Sequence, residues 1–509
     1  MATTNSLLVA ATTVLIVVGL FCLSPSAQSS LTLENNGVLE TFSRSLRSKG
    51  AHDNGNSFVS SLSLLTADSF SNPSSAEHND GVQQNTGRRR LAMEEDDFVE
   101  TSRRDHFPLF KSGDTFSVLG PSVFPKPTYI YETDENNVKI EDETIVTHLQ
   151  PTTGKHRPGQ DSVFVFAAEY GFDTYILFFM TLFETGFKGD VVVGISKMDW
   201  ENKQIREFLE HWKNEAEEDE MTVIVYVVPY HCYDLEGRVQ PSHKGGMRVC
   251  QCHNMFGQKN KQTGAVTPLL DKRHGRTAQT IRYELYWIWS EHYEPSSWIL
   301  LIDARDTIFQ EIPFTRVPRS SAAEVEKEGG TLLFFGENAD ATSLGKSKYN
   351  RRWLTLAYGE DIANSFKDKP TICSGSTMGE QSAIDAYLRA EVAESDESKT
   401  VIFGADQGFH NYLYYSDKLV NAKAISRIVV QDQGLGLVNN MGALRDKKLS
   451  EWGNGKIVEK TDTKITIYNW DGTISPVVHQ YDRHKELSNW WHKKKLGDFN
   501  NQWREMKLK

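Results

Sequence analysis

The segment that decides the fold class is Trp298-Ile299-Leu300-Leu301-Ile302-Asp303-Ala304-Arg305-Asp306. Its apolar first part predicts a buried strand, and two carboxylates in D-x-x-D spacing occupy the turn that follows. In open α/β sheets, ligands bind beyond the carboxyl ends of the strands. Oxygen ligands there suit Mg²⁺ or Mn²⁺, ions that bridge protein carboxylates to a substrate's phosphates. Acidic residues after strands are also ordinary turn residues or helix caps, so other segments must decide between the two interpretations.

Strand and helix patterns alternate along the chain from about residue 160. Short apolar runs predict strands, and longer segments with apolar residues at helical spacing predict helices. Such alternation is typical of an α/β fold with a mostly parallel central sheet flanked by helices. The predicted strands are 163–166, 190–195, 222–228, 298–302 and 331–335, and the predicted helices are 173–185, 203–212 and 278–293.

Composition and the N-terminus limit the partners and the location. The 509 residues carry a formal net charge of −12 at pH 7, which argues against nucleic acid because that partner requires a basic face. Residues 7–23 are apolar and uncharged, at the short limit of a membrane-spanning helix. They predict a signal anchor or a cleaved signal peptide, and both direct the chain into the secretory lumen. We therefore expect a single-pass type II membrane protein of the Golgi or endoplasmic reticulum, or a secreted protein after cleavage.

The predicted domain organisation follows a change in composition. Residues 28–120 are rich in Ser, Asn and Asp and poor in apolar runs, so they predict a disordered stem. The basic triplet Arg88-Arg89-Arg90 within the stem is either a processing site or a solvated charge run. The predicted segments are a signal region at 1–27, the stem at 28–120, a lead-in at 121–159, a catalytic domain at 160–490 and a C-terminal tail at 491–509.

A cysteine cluster lies in the first half of the globular region. In an oxidising lumen, Cys232 is expected to form a disulfide with Cys250 or Cys252. With His231 and His253 on its flanks, the same cluster is open to interpretation as a zinc site. Its spacing matches no standard zinc finger, which favours the disulfide.

Two segments of small and polar residues follow the D-x-x-D strand. Ser374 and Gly375 lie in a stretch that either lets a ligand approach the backbone or forms a turn before a helix near Ser382. Asp406 and Gln407 stand at the start of a predicted helix. There Asp406 either caps the helix or takes part in the chemistry, for example by orienting a sugar hydroxyl.

The end of the globular region holds a candidate metal ligand with basic neighbours. His479 follows two valines, and a neutral imidazole is a suitable third ligand for Mn²⁺ beside carboxylates. Arg483 and Lys485 lie just beyond and have the charge to neutralise a diphosphate. The sequence has no glycine-rich phosphate loop, so a metal and basic side chains would have to hold any phosphate. This combination suits nucleotide-sugar chemistry better than P-loop hydrolysis.

In this order, the segments resemble those of GT-A-type glycosyltransferases, and more closely the glycosyltransferase domain of the collagen lysyl hydroxylases and its plant and algal relatives. That family has a Q-x-x-R-aromatic helix before the D-x-x-D, then an S-G-x-x-x-G segment, a D-Q helix start and a late V-V-H followed by lysine. The chain departs from the family at Thr280, Cys373 and Ala405, where the family has Lys, Asn and Asp. The matching residues are Gln279, Arg282, Tyr283, Asp303, Asp306, Ser374, Gly375, Gly379, Asp406, Gln407, Val477, Val478, His479 and Lys485.

The resemblance implies a GT-A-like fold and a set of residue roles. Asp303, Asp306 and His479 would hold Mn²⁺ or Mg²⁺ under the diphosphate of a UDP-sugar. The remaining residues would contact the donor and the acceptor side. The implied nucleotide-sugar-binding residues are Arg282, Tyr283, Ser374, Gly375, Arg483 and Lys485, and the implied catalytic residues are Asp406 and Gln407.

The predicted function is a metal-dependent glycosyltransferase that moves a sugar from a UDP-sugar to an unknown glycan or protein acceptor. Two alternatives remain: a nucleotidyltransferase that makes NDP-sugars, and a secreted carbohydrate-binding protein that has lost the chemistry. The secretory N-terminus argues against the first, because sugar activation is usually cytosolic. The presence of Asp303, Asp306 and His479 argues against the second.

Overall fold

The computed structural model describes a defined part of the chain. The predicted signal region at 1–27 and the stem at 28–120 lie outside it, as does most of the lead-in. Among the described residues, no helix combines the length and apolarity needed to cross a membrane. The described residues are 145–213, 220–233, 239–240, 242, 249–252, 255–268, 276–398, 400–445, 458–461 and 464–508.

The strands are distributed over one large sheet and several small ones. They are β1 (Ile145–Thr147), β2 (Ser162–Phe166), β3 (Asp190–Ile195), β4 (Thr222–Val227), β5 (Tyr230–Tyr233), β6 (Val239–Gln240), β7 (Val249–Cys252), β8 (Phe256–Lys259), β9 (Val266–Pro268), β10 (Trp298–Ile302), β11 (Thr307–Phe309), β12 (Gly330–Gly336), β13 (Ile372–Glu380), β14 (Ile425–Gln431), β15 (Val438–Asn440), β16 (Val458–Lys460), β17 (Ile465–Ile467) and β18 (Val477–His479).

Helices lie between most of these strands, and a π-helical turn, Trp490–Lys495, joins the last two helices. The α-helices are α1 (Phe172–Glu184), α2 (Lys197–Glu201), α3 (Lys203–His211), α4 (Ala278–Ser290), α5 (Ala322–Glu328), α6 (Lys348–Tyr358), α7 (Glu360–Ser365), α8 (Gln381–Ser398), α9 (Ala405–Tyr415), α10 (Lys485–Asn489) and α11 (Leu496–Met506).

The central sheet has seven strands in the order β14-β12-β13-β10-β2-β3-β4. Neighbouring strands run parallel except at β13, which is antiparallel to both β10 and β12. The predicted α/β architecture, a mostly parallel central sheet flanked by helices, is therefore confirmed. The strand β10 lies near the middle of the sheet, so its carboxyl end opens onto the edge where ligands of such folds bind.

Apolar side chains cover both faces of this sheet. Successive strand residues point to opposite faces, so Val163 and Val165 of β2 belong to one core cluster and Phe164 to the other. Helices α1, α3 and α11 pack on the first face, and α4 and α8 pack on the second. Burial on both faces explains why the strands are nearly continuous apolar runs rather than alternating patterns.

A small sheet, β11-β18-β15, sits beside the carboxyl end of β10. The strand β11 follows the D-x-x-D turn directly, and β18 pairs with it in antiparallel register, with His479 opposite Thr307. On its other side, β18 runs parallel to β15, where Asn440 lies opposite His479. This sheet brings a late segment of the chain to the end of β10.

The segment 371–379 corrects one sequence-based interpretation. It does not form a turn before the helix, because Ile372–Glu380 form β13, which leads directly into α8. Its small residues reflect close packing between two neighbouring strands: a Cβ on Gly379 would lie 2.7 Å from the backbone oxygen of Thr331. Small residues have low strand propensity, which is why the sequence pattern did not predict a strand here.

The predicted C-terminal tail, 491–509, is structurally part of the core as far as it is described. Phe499 and Trp503 of α11 are buried in the first core cluster. The Trp503 ring lies edge-on to Phe208 of α3, with ring centroids 5.0 Å apart. Residues on both sides of position 490 therefore belong to the same packed unit.

The cysteine cluster forms a disulfide between Cys232 and Cys250, one of the two predicted pairings. The two residues lie opposite each other on β5 and β7 of a three-stranded sheet. The alternative prediction of a zinc site is therefore wrong for these two cysteines, because zinc binds thiolates and a disulfide has none. Cys252 is buried in the second core cluster, and His253 lies outside the described residues.

Candidate active site

Three side chains with metal-ligand chemistry meet at the carboxyl end of β10. One ligand atom from each of Asp303, Asp306 and His479 lies within 4.8 Å of the other two. Nε2 of His479 is 3.8 Å from Oδ2 of Asp303 and 3.6 Å from Oδ1 of Asp306. These separations are too long for good hydrogen bonds, and they leave room for a cation between the three atoms.

Strand pairing explains how these distant residues meet. Asp303 and Asp306 occupy the turn between β10 and β11, and the backbone N–H of Asp303 donates to the carbonyl of Gly375 at 3.0 Å. Thr307, the first residue of β11, is paired with His479 at the end of β18. The register of one short antiparallel pair therefore sets the position of the imidazole relative to both carboxylates.

Asn440 determines the orientation of the His479 ring. The Asn440 Nδ2 donates to the carbonyl oxygens of Phe335 and Gly336 at 3.1 and 3.2 Å, so its Oδ1 must point the other way. That oxygen accepts from Nδ1 of His479 at 2.8 Å. Nε2 then keeps its lone pair in the neutral imidazole, and it is buried without a hydrogen-bond partner among the described residues. This is the arrangement of a histidine metal ligand supported by a second hydrogen bond.

Gly375 provides the space for the three ligand side chains. A Cβ at this position would lie 2.6 Å from Oδ2 of Asp303 and 2.7 Å from Cε1 of His479. Any side chain on this residue would therefore displace the carboxylate and the imidazole. In addition to its predicted role in donor binding, this position must therefore be glycine so that the metal-ligand side chains have space.

Arg282 links this centre to the start of α9. Its guanidinium forms ion pairs with Asp303 on one side and with Asp406 on the other, the latter at 2.8 Å. Burial would raise the pKa of Asp303, but Arg282 and His479 hold it well below its usual range. Burial raises the pKa of Asp406, and Arg282 offsets this only in part. The predicted donor-binding arginine therefore holds two carboxylates in a fixed geometry.

Asp406 and Gln407 do not cap α9. The N-cap is Gly404, whose φ of +85° is in the left-handed region, and no side chain caps the helix end. The Asp406 carboxylate accepts from Oγ of Ser374 at 3.3 Å, and the Gln407 Oε1 accepts from the Ser374 backbone N–H at 2.7 Å. The capping interpretation of Asp406 is wrong, because its carboxylate points to Arg282 and Ser374.

Most of these residues line a cavity of about 770 Å³, while His479 and Asn440 are buried beside it: the lining includes Arg282, Asp303, Asp306, Ser374, Gly375, Asp406 and Gln407. Three further arginines add positive charge to the lining. Arg305 and Arg483 each place a guanidinium nitrogen near Oδ2 of Asp306, at 3.2 and 3.3 Å, and Arg445 lies near by in the lining. Arg483 was predicted from the sequence, whereas Arg305 and Arg445 were not. Such a cluster suits a phosphate group, because guanidinium matches its geometry.

Two predicted site residues lie elsewhere. Lys485 begins α10 and lines a separate surface cavity with Lys460 and Lys494, because the chain turns away after the buried His484. Lys485 therefore does not face the cavity that holds the metal-ligand residues. Tyr283 is also absent from the cavity lining: it is buried, and its hydroxyl donates to the carbonyl of Ser374 at 3.2 Å.

Aromatic side chains that sequence reasoning missed also line the cavity. Tyr349 and Trp353 come from α6, and Phe403 precedes α9. From sequence alone, an aromatic residue on a helix is more readily assigned to the core, so these positions gave no functional signal. What distinguishes them in the structure is that they line the cavity, with Tyr349 and Phe403 exposed to solvent.

Comparisons with known proteins gave matches to solved structures only. No protein-family model and no curated protein sequence matches the chain. A structure of the galactosyltransferase LgtC in complex with donor and acceptor sugar analogues is similar at 9% identity, with a TM-score of 0.33. A structure of an active-site mutant of LgtC is similar at 8% identity, with a TM-score of 0.34. Each match covers 68% of this chain and 99% of the other.

Proposed function

We propose that this protein is a metal-dependent glycosyltransferase with a GT-A-type fold, which moves a sugar from a UDP-sugar donor to a hydroxyl of an acceptor. The observation that carries the proposal is the buried Nε2 of His479, which has no hydrogen-bond partner among the described residues and lies 3.8 and 3.6 Å from Asp303 and Asp306, two carboxylates that line a large cavity. A cation binding site beside a cluster of arginines is what a nucleoside diphosphate requires.

The donor set fits Mn²⁺ or Mg²⁺. Two carboxylates supply hard oxygen ligands, and one imidazole favours Mn²⁺ over Mg²⁺ because nitrogen ligands suit transition metals. Gly375 leaves the space that the three side chains need. When bound, such an ion would stabilise the negative charge that develops on the departing diphosphate.

The chain's own residues divide the remaining work. The diphosphate would be bound and held in one orientation by Arg305, Arg445 and Arg483. In the reaction, the bond from the sugar anomeric carbon to the diphosphate oxygen breaks, and a bond to the acceptor oxygen forms. The acceptor hydroxyl gives its proton to a base or to the released UDP. Arg282 and Ser374 would fix the Asp406 carboxylate beside the transferred sugar.

The cellular location of the protein and its family relationship are part of the same proposal. The disulfide between Cys232 and Cys250 supports a secretory compartment, because disulfides persist in oxidising environments. We place the enzyme in the Golgi or endoplasmic reticulum, with residues 7–23 as anchor or signal. The closer relationship to the collagen lysyl hydroxylase glycosyltransferase domain stays a prediction.

Turnover of a panel of UDP-hexoses by the purified chain tests the proposal. We expect UDP release with Mn²⁺ and none after chelation. Asp303→Asn should lower the rate by about a hundredfold or more, because it removes a charged ligand. The matched control is Asp498→Asn, at an exposed position of α11. If the wild type releases no UDP from any donor, or if Asp303→Asn is as active as the control, the transferase proposal fails. Formation of UDP-sugar from UTP and a sugar phosphate would instead favour a nucleotidyltransferase.

A further inference from the structure

The cavity has an aromatic wall, formed by Tyr349, Trp353 and Phe403, that the metal centre does not use. Tyr349 is 57% exposed and Phe403 is 71% exposed. The rings of Tyr349 and Trp353 are tilted by 32° with centroids 6.1 Å apart. Large aromatic side chains stabilise a fold more when they are buried than when they are exposed. Exposed aromatic side chains beside a cavity therefore indicate a binding surface.

The aromatic wall lies next to Asp406. The Trp353 side chain packs on Gly404 and Gly408, which flank Asp406 in the first turn of α9. Gly404 needs to lack a side chain for this contact, since a Cβ there would overlap the indole ring. The wall is therefore tied to the helix start that holds Asp406.

Arg305, Arg445 and Arg483 line the same cavity, and Arg305 and Arg483 pair with Asp306. Arg483 pairs with Asp306, and Arg282 pairs with both Asp303 and Asp406. Nε2 of His479 lies 3.6 Å from Asp306 and 3.8 Å from Asp303, where the cation would connect these two groups of ion pairs. A donor with its diphosphate at the arginines would direct its sugar toward Asp406. The aromatic wall adjoins Asp406, because Trp353 packs on Gly404 and Gly408.

Asn350 adds an independent indication of a ligand. It is 4% exposed, lies on α6 between Tyr349 and Trp353, and lines the cavity. Its Oδ1 is buried without a hydrogen-bond partner among the described residues. A buried carbonyl oxygen normally accepts a hydrogen bond, so a hydroxyl of a bound molecule would satisfy it. The neighbouring lining residues Thr342 and Ser347 are also uncharged hydrogen-bonding groups.

We propose that the aromatic wall and Asn350 bind a hexopyranose ring of a carbohydrate acceptor. The C–H face of the ring would stack on the aromatic side chains, and one hydroxyl would donate to Oδ1 of Asn350. Apolar surface with a few neutral polar groups is how proteins bind sugars and other neutral ligands, whereas a charged peptide would require charged partners. This inference rests on the proposed transferase function and deepens it by naming a glycan as the acceptor.

The test uses the full chain on an array of immobilised α- and β-linked glucose, galactose and mannose disaccharides. The variant Tyr349→Ala/Phe403→Ala removes the two most exposed rings of the wall, which contribute little to folding. The matched control is Leu356→Ala, a 43% exposed apolar residue of the same helix that does not line the cavity. Calorimetry with UDP and Mn²⁺ on every variant measures donor-site binding separately.

We expect the wild type and Leu356→Ala to be retained on at least one disaccharide. The double variant should lose about tenfold or more in retention, with the affinity for UDP and Mn²⁺ unchanged. Asn350→Ala should weaken retention on the same disaccharide.

Three results would overturn the proposal: no retention of the wild type on any sugar, equal retention of the double variant, or loss of UDP affinity in the double variant. The last would place the wall at the nucleoside. Retention that depends on the wall, in a chain that does not bind UDP and Mn²⁺, would leave the carbohydrate site standing and remove the transferase function.

Discussion

At the scale of single residues, neighbouring side chains fix the orientation of the groups that would bind the metal. Asn440 occupies Nδ1 of His479, so only Nε2 is left to bind a ligand. Arg282 occupies one side of Asp303, which directs the other oxygen toward the imidazole. His479 and Asp303 are thus each held in place by a neighbour that is not itself a metal ligand, and this preorganisation favours binding.

Gly375 gives the first prediction at this scale. Gly375→Ala should lower the Mn²⁺ affinity by about tenfold or more, because its Cβ would meet both Asp303 and His479. Titration calorimetry with Mn²⁺ measures the effect, and circular dichroism checks the fold. Gly497→Ala is the matched control, since nothing lies within 4 Å of a Cβ there. Equal Mn²⁺ affinities of the two variants would show that this space is not part of a metal site.

The protonation of His479 gives a second prediction. In the metal-free protein, burial opposes the charged form, but Cys373 and the carboxylates of Asp306 and Asp303 raise the His479 pKa well above its ordinary value of 6.5. A proton on Nε2 must leave before a metal can bind there. The Mn²⁺ affinity should therefore rise about tenfold per pH unit until the pH exceeds this raised pKa.

Calorimetry at several pH values, in buffers that differ in ionisation enthalpy, measures both the affinity and the released proton. The same titration of His479→Ala should show a lower affinity and a weaker dependence on pH. A wild-type affinity that is constant across the neutral range, with no proton released, would contradict the assigned role of His479.

At the scale of helices and strands, buried elements were the most predictable. The strand 190–195 has the predicted bounds, and α4 ends at Ser290 rather than at the predicted Tyr293. Continuous apolar runs identify such strands because both of their faces are buried. The strand β13 was missed because close strand packing selects small residues, which have low strand propensity.

The sequence predicted those site residues that are metal-ligand types and also stand in the motif order of the family that the chain resembles. The resemblance placed Asp303, Asp306 and His479 in one cluster, and the structure brings them together. Lys485 was assigned to the site from its spacing after His479. Spacing alone does not show that the chain turns away from the cavity at α10. Arg445 lies on a loop with no distinctive pattern, so only the fold reveals that it lines the cavity.

The helix α11 gives a third prediction. Trp503→Ala should lower the free energy of unfolding by about 3–5 kcal/mol, because it removes a buried ring that packs on Phe208. Urea unfolding measures the change. Arg504→Ala, at an exposed position of the same helix, is the control and should change stability little. If the two variants are equally stable, the C-terminal helix is not part of the cooperative core.

At the scale of the whole molecule, the site joins segments that are distant in sequence. Asp303 belongs to a central strand turn, Asp406 to the start of α9, and His479 to the last strand of the described chain. Each is carried by an element that packs on the central sheet or on the small sheet beside it. Binding at this site therefore stabilises the arrangement of these segments as well as the ligands themselves.

Mn²⁺ should therefore raise the thermal stability of the folded domain. At about a hundredfold excess over its dissociation constant, a ligand that binds only the native state adds roughly 2.7 kcal/mol. Scanning calorimetry with and without Mn²⁺ should show a higher Tm with the ion. In His479→Ala the shift should shrink markedly. An equal shift in this variant would mean that Mn²⁺ binds elsewhere on the protein.

The register between β11 and β18 also has a consequence for protein synthesis. The ribosome releases Asp303 and Asp306 long before His479, so a growing chain exposes two adjacent acidic groups without the imidazole that completes the set. A chain interrupted before β18 would lack a functional ion site, however well its first strands pair. Truncated chains would not hold the ion in this way, because the three ligands meet only when β18 has paired with β11.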